Sequence, residues 1–347
     1  MAYARDFSPG QKTFLQRFGA TASPAAALSL SLLLILLTAG CAAPRYGLDP
    51  CLTTTASAAA GEATFTSLRY RVRTDAGRAA AQEVGRFMER AAALWTPLFG
   101  VPDPKSLPLE VRLHRDPASL AALLASQQLN ITATGLYLPT TQPPAIHVAC
   151  LGSEPGHPYR TLLHEGTHQF VHLGAGFRDS RPGTATPPRL ALPLWLNEGL
   201  ATYYEAAFVT PDLLQPGRPD PGRLAELQAT LRRGKTPLLA ATLGKRYGDS
   251  FTSSDYAIAW GVVYALLQEA PPPWASGGRE WLQALIDESR RGWPLPAGEP
   301  APDDRGQRWW TTVTDRAQTA LQHYLAANGL TLPAWEAQWR EWILAHP

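Results

Sequence analysis

The chain has 347 residues, 45% hydrophobic and 17% charged, enough apolar surface to offset ordering entropy and too much for a disordered chain. The formal net charge is +2, with no long run of one sign, which argues against a nucleic-acid footprint. No internal repeat is visible, so a solenoid or array is excluded.

In chain order, residues 1–40 read as a targeting segment. Arg5, Lys12 and Arg17 give a positive start, and Ala25 to Leu37 is almost entirely apolar over 13 residues, the length of a signal h-region rather than a membrane span. The stretch ends in Leu37-Thr-Ala-Gly-Cys41, which resembles a bacterial lipoprotein box. That resemblance implies cleavage before Cys41, lipid on its sulfur, and an exported protein held at a membrane of the cell envelope. Thr38 departs from the box, where Leu is commonest. Ala42 is not the Asp of inner-membrane retention, which favours the outer membrane. Residues 41–62 then form a small, polar tether. With Cys41 lipidated, Cys51 and Cys150 remain, either as a disulfide in an oxidising compartment or as two buried thiols.

A folded domain is expected over 63–347, with an N-terminal α/β part over 63–175 and a helical part over 194–347. Phe65 to Thr74 alternates apolar and polar residues and reads as one strand. Asp75 is placed to cap a helix over Ala79 to Thr96. Leu109 to His114 is a second strand, Pro117 to Gln127 a helix, and Gly135 to Pro139 and Ala145 to Cys150 two short strands. His147 lies on the last of these; a lone strand histidine is more often a hydrogen-bonded core residue than a ligand, so it is left out of the site.

Next comes Thr161-Leu-Leu-His-Glu-Gly-Thr-His-Gln-Phe-Val-His172, which holds His-Glu-x-x-His at His164, Glu165 and His168. Residues four apart on a helix share a face, so both imidazoles can reach one metal ion. Glu165 lies about a quarter turn round, able to approach a metal-bound water without becoming a ligand. Leu162, Leu163, Phe170 and Val171 supply an apolar face for the core. A catalytic zinc site needs a third protein ligand. His172, four residues beyond His168, is one choice. The other is Glu198, 30 residues beyond His168 in Leu194-Trp-Leu-Asn-Glu-Gly-Leu-Ala-Thr-Tyr-Tyr-Glu205.

His-Glu-x-x-His followed by Trp-Leu-Asn-Glu-Gly-Leu-Ala-x-Tyr resembles the gluzincin metallopeptidases, and in particular the bacterial peptidase-MA-like domains. The resemblance runs over residues 65 to 270 and is strongest at the two ligand segments. It implies an α+β, zincin-like fold: a small mixed sheet with an edge strand over the His-Glu-x-x-His helix, then a mostly helical C-terminal part. It implies Zn²⁺ held by His164, His168 and Glu198, with Glu165 as general base. His172 fits no metzincin pattern, because Val171 and Gly174 stand where that family has its Gly and third His. The strand matched to the cleft's upper edge is Ala145 to Cys150, to which an extended peptide could pair.

Phe177 to Pro193, between the ligand helices, is either a cleft rim or a plain connector. Leu224 to Arg233 and Leu238 to Leu243 read as helices. Ser254 to Leu267 is an apolar helix with Tyr256 near its start. Related families carry a Tyr here, which gives Tyr256 an oxyanion-stabilising role; the alternative is an aromatic that only packs. Tyr203 and Tyr204 are lesser candidates of the same kind. Beyond Arg279, helices broken by the Gly292 to Pro302 loop close the domain. Trp335, Trp339 and Trp342 repeat at helical spacing, as a core stripe does.

The expected activity is zinc-dependent hydrolysis of peptide bonds, with endopeptidase action favoured and a peptide or protein as substrate. The alternative is a zinc-containing lipoprotein that binds peptides or assists envelope assembly without turnover.

Overall fold

The computed structural model describes residues 62–102, 104, 107–129, 131–150, 157–174, 192–210, 213–234, 238–268, 277–291 and 307–346. The targeting segment, Cys41, Cys51, nearly all of the tether, most of the Phe177 to Pro193 loop and the Gly292 to Pro302 loop lie outside them. Within them the molecule is mixed α+β, with a five-stranded sheet and mostly helical content after it.

The expected first strand is two strands. β1 (Ala63–Thr66) and β2 (Tyr70–Thr74) run antiparallel across a tight reversal. Glu89 holds the reversal, accepting from the Ser67 hydroxyl at 2.8 Å and the Arg69 N–H at 2.5 Å. Alternation marks faces and is blind to such a turn. α1 (Arg78–Phe99) follows, burying Ala80, Val84, Phe87, Ala91 and Trp95 at helical spacing. Asp75 does not cap it. The cap residue is Gly77, at φ +97°, and Asp75 instead accepts the Arg115 N–H at 2.7 Å.

β3 (Leu109–His114) lies parallel to β2, and α2 (Pro117–Ser126) is capped by Asp116. β4 (Gly135–Leu138) and β5 (Ala145–Ala149) complete a sheet of order β1-β2-β3-β5-β4. β2, β3 and β5 are mutually parallel; β1 and β4 are the antiparallel edges. This corrects one expectation: the strand of Ala145 to Ala149 is interior, flanked by β3 and β4, and cannot accept an added strand. The free edge beside it belongs to β4. Thr134 C=O accepts from Ala149 N–H, so by antiparallel alternation Gly135 and Tyr137 turn their backbone groups to the open side.

Val72, Val111 and Ile146 stand in register on one sheet face and join the main core with α1 and α3 (His157–Gly174). A smaller core under the opposite face joins Leu120 and Leu124 of α2 to Leu136, Leu138 and Ala149. Gly166 of α3 faces Trp95; a Cβ there would sit 2.4 Å from the indole, so only glycine lets α1 and α3 meet so closely.

α4 (Leu194–Glu205) is buried along its whole length between α3 and α7 (Ser253–Leu267). α5 (Pro221–Arg233) and α6 (Leu238–Leu243) precede α7, α8 (Gly278–Arg291) and α10 (Leu332–Ala345) pack against it, and α9 (Gln307–Ala327) packs on α8 and α10. Thr252 and Asp255 form a reciprocal capping box at the start of α7. Trp335 and Trp339 are fully buried, and the Trp339 indole N–H donates to Gly261 C=O at 3.0 Å, so the stripe is core. Cys150 is disulfide-bonded. No described helix is long and apolar enough to cross a membrane.

Candidate metal centre

α3 buries Leu162, Leu163 and Phe170 and turns His164 and His168 toward α4. The Glu198 carboxylate, fully buried, faces both rings. Its Oε2 lies 3.5 Å from His164 Nε2 and 3.7 Å from His168 Nε2. Ligands about 2.0–2.1 Å from one ion at tetrahedral angles stand roughly 3.3–3.5 Å apart. Among the described residues, His164, His168 and Glu198 are the group of three His, Cys, Asp or Glu side chains that converge as ligands.

The far ring nitrogens fix the tautomers. His164 Nδ1 is 3.1 Å from Glu205 Oε2, and a carboxylate only accepts, so Nδ1 carries the proton and Nε2 offers its lone pair to the centre. His168 Nδ1 meets Asn197 Oδ1 at 3.2 Å in the same sense. Metal-binding histidines are oriented in this way by outer partners. Two lone pairs and a carboxylate aimed at one buried point fit a cation between them. The group could therefore hold a metal ion.

Glu205 is itself held. Arg160, one turn before His164, lies 3.5 Å from Glu205 and 2.5 Å from Asp220, and Asp220 caps α5 through the Arg223 N–H. Sequence reasoning missed Glu205, Asn197 and Arg160. The signal was there for one of them: Glu205 lies seven residues, two turns, beyond Glu198 on the same helical face.

Glu165 does not join the three. Its Oε2 accepts the Tyr137 N–H at 2.8 Å, which holds the carboxylate against the outward side of β4. Tyr256 packs against His164 with ring centroids 6.4 Å apart, with Phe251 edge-on at 4.9 Å and the Arg223 guanidinium 5.9 Å from its ring. His172, the rival third ligand, stands apart from the converging group and pairs through Nδ1 with the Tyr137 hydroxyl. Burial pulls its imidazole down to about 4.

His147 is a buried sheet residue, 3.0 Å through Nδ1 from His114 Nε2. Burial first, then His114 and Arg112, lowers it to about 3. Tyr203 and Tyr204 turn elsewhere: Tyr203 accepts from Gln268, while Tyr204 packs on Trp95 and Phe99, and burial raises both phenols. No protein-family model matches the chain, and no curated protein matches it.

Proposed function

We propose that the chain is a zinc-dependent peptidase with a zincin-like fold of the gluzincin kind, acting on an extended peptide laid along the open edge of β4. The observation that carries this reading is one buried point where His164, His168 and Glu198 converge, with Glu165 following His164 on the same helix and standing outside the converging set. A set of two imidazoles and one carboxylate is the donor type that binds catalytic zinc while leaving a position open. Bound there, zinc supplies a Lewis acid and lowers the pKa of a water from about 15.7 to about 7.

The chain's own residues do the rest. Glu165 takes the proton of the attacking water and passes it to the leaving amine. Tyr137 C=O and the backbone of Gly135, facing the open edge, pair with the substrate main chain. Tyr256 donates from its phenol to the oxyanion of the tetrahedral intermediate. Cys41 carries the lipid that holds the protein to an envelope membrane. The disulfide at Cys150 supports an oxidising compartment and hence export.

Glu165→Gln tests the reading. Purified from zinc-containing medium, it is expected to keep one zinc per chain, as measured by elemental analysis, and to lose peptide hydrolysis by about 10²–10⁴-fold. Activity at the parent level in Glu165→Gln removes Glu165 as the base. A parent protein that holds zinc and cleaves no peptide leaves the peptide-binding alternative standing.

A further inference from the structure

We propose that Tyr137 and His172 are positioning residues that hold the Glu165 carboxylate at the metal centre, an inference that rests on the peptidase reading above. Glu165 and His172 both belong to α3 and lie seven residues apart, two turns along one face. Tyr137 of the edge strand reaches both. Its backbone N–H donates to Glu165 Oε2 at 2.8 Å. Its phenol pairs with His172 Nδ1, and its ring meets the imidazole edge-on, 5.5 Å between centroids.

Burial fixes the sense of the side-chain bond. It raises the Tyr137 phenol well above its ordinary value, so Oη keeps its proton. It lowers His172, so near neutral pH the imidazole is uncharged and accepts at Nδ1. The strand is clasped to the helix twice, once by main chain beside the base and once by side chain two turns further on.

The clasp matters because the backbone of β4 is paired on one side only. It has four residues and a single strand neighbour, β5. An edge N–H turned away from the sheet is ordinarily open to solvent or to an incoming strand. Here the Tyr137–His172 contact keeps that N–H over Glu165. A carboxylate released from it explores several rotamers, and a general base displaced by about an ångström loses on the order of 10²-fold in rate. Neither residue belongs to the ligand set, so metal binding is independent of the clasp.

The test uses three variants of the zinc-loaded full chain: Tyr137→Phe, His172→Leu, and His172→Gln, which keeps an acceptor. Zinc content, kcat and KM are measured, together with amide hydrogen exchange at position 137 by NMR without substrate. Tyr137→Phe and His172→Leu are expected to keep their zinc while kcat falls about 10- to 100-fold, whatever the loosened strand does to KM. The amide at position 137 is expected to exchange at least about tenfold faster in both, and His172→Gln to restore most of the rate and the protection. Parental kcat and parental exchange in both disrupting variants overturn the proposal, as does loss of zinc in step with loss of rate. If Tyr137→Phe does not fold, His172→Leu carries the same decision from the half-buried end of the clasp. A parent protein that binds zinc and cleaves nothing sinks the peptidase reading, and exchange at position 137 still decides whether the clasp exists.

Discussion

His164 can lend its Nε2 lone pair to a cation only while Nδ1 keeps its proton, and Glu205 is the group that holds that proton, at 3.1 Å. An amide in its place would still accept, without the negative charge that strengthens the ligand. Glu205→Gln is therefore expected to weaken zinc binding about 10- to 100-fold, read by competition with a chromophoric chelator, with the far-ultraviolet spectrum unchanged. Arg160→Ala, which removes the guanidinium that Glu205 shares with Asp220, is expected to act in the same direction and less strongly, because Arg160 is partly exposed and screened. The converging group was legible in the sequence: His164 and His168 sit four apart in uncommon residue types, and Glu198 was reached through the resemblance of its segment. Of the outer partners only Glu205 left a signal, two turns beyond Glu198 on one helical face. Asn197 and Glu205 are polar residues of a helix that is buried on all sides, and only the placement of α4 against α3 shows which imidazole each one meets.

At the scale of elements, the placement of Glu198 depends on how closely α4 approaches α7. Gly199 sets that distance: a Cβ there would lie 2.6 Å from Ala259 O and 2.8 Å from Val263 Cγ2. The first of these is backbone, which cannot swing aside. Gly199→Ala is expected to cost about 1–3 kcal/mol in urea unfolding and to reduce zinc content, since the neighbouring Glu198 moves with its helix. The helices themselves could be read from apolar periodicity, and α6 and α7 lie within a residue of the expected bounds. The strand arrangement could not. Period-two alternation assigns faces and leaves neighbours open, so nothing local distinguishes β5 inside the sheet from β5 at its edge. The cap of α1 failed for a similar reason: Asp75 is a sound capping residue, and the Arg115 N–H, 40 positions away, competes for it and wins.

Across the whole molecule, the metal group ties the sheet-bearing part, through α3, to the helical part, through α4. A ligand that binds only the folded state stabilises it, by about 4 kcal/mol when free zinc stands a thousandfold above its dissociation constant. Chelation is thus expected to lower the thermal midpoint, and re-addition of zinc to restore it. Acid is expected to release any bound metal as well, because the imidazoles must be neutral to bind, so the protein's own pH response has to be measured with metal absent. His147 and His172 contribute to it with one sign, the sign also of the lowered His114, Glu89 and Asp255. Folded, the first two are lowered to about 3 and about 4, chiefly by burial; unfolded, both titrate near 6.5. Between those values the unfolded chain binds protons that the native protein refuses, so the stability these two histidines contribute is fully present above about 6.5 and drains away as the pH falls toward 4. His147→Gln takes away one of these groups. Its urea-derived stability is expected to start below that of the parent at pH 7. The gap should then narrow by up to about 1.4 kcal/mol for each pH unit between roughly 6 and 4, as the parent loses stability faster. A gap that stays constant over that range would mean His147 is already charged or already solvated in the native sheet, against its 3% exposure and its contact with His114.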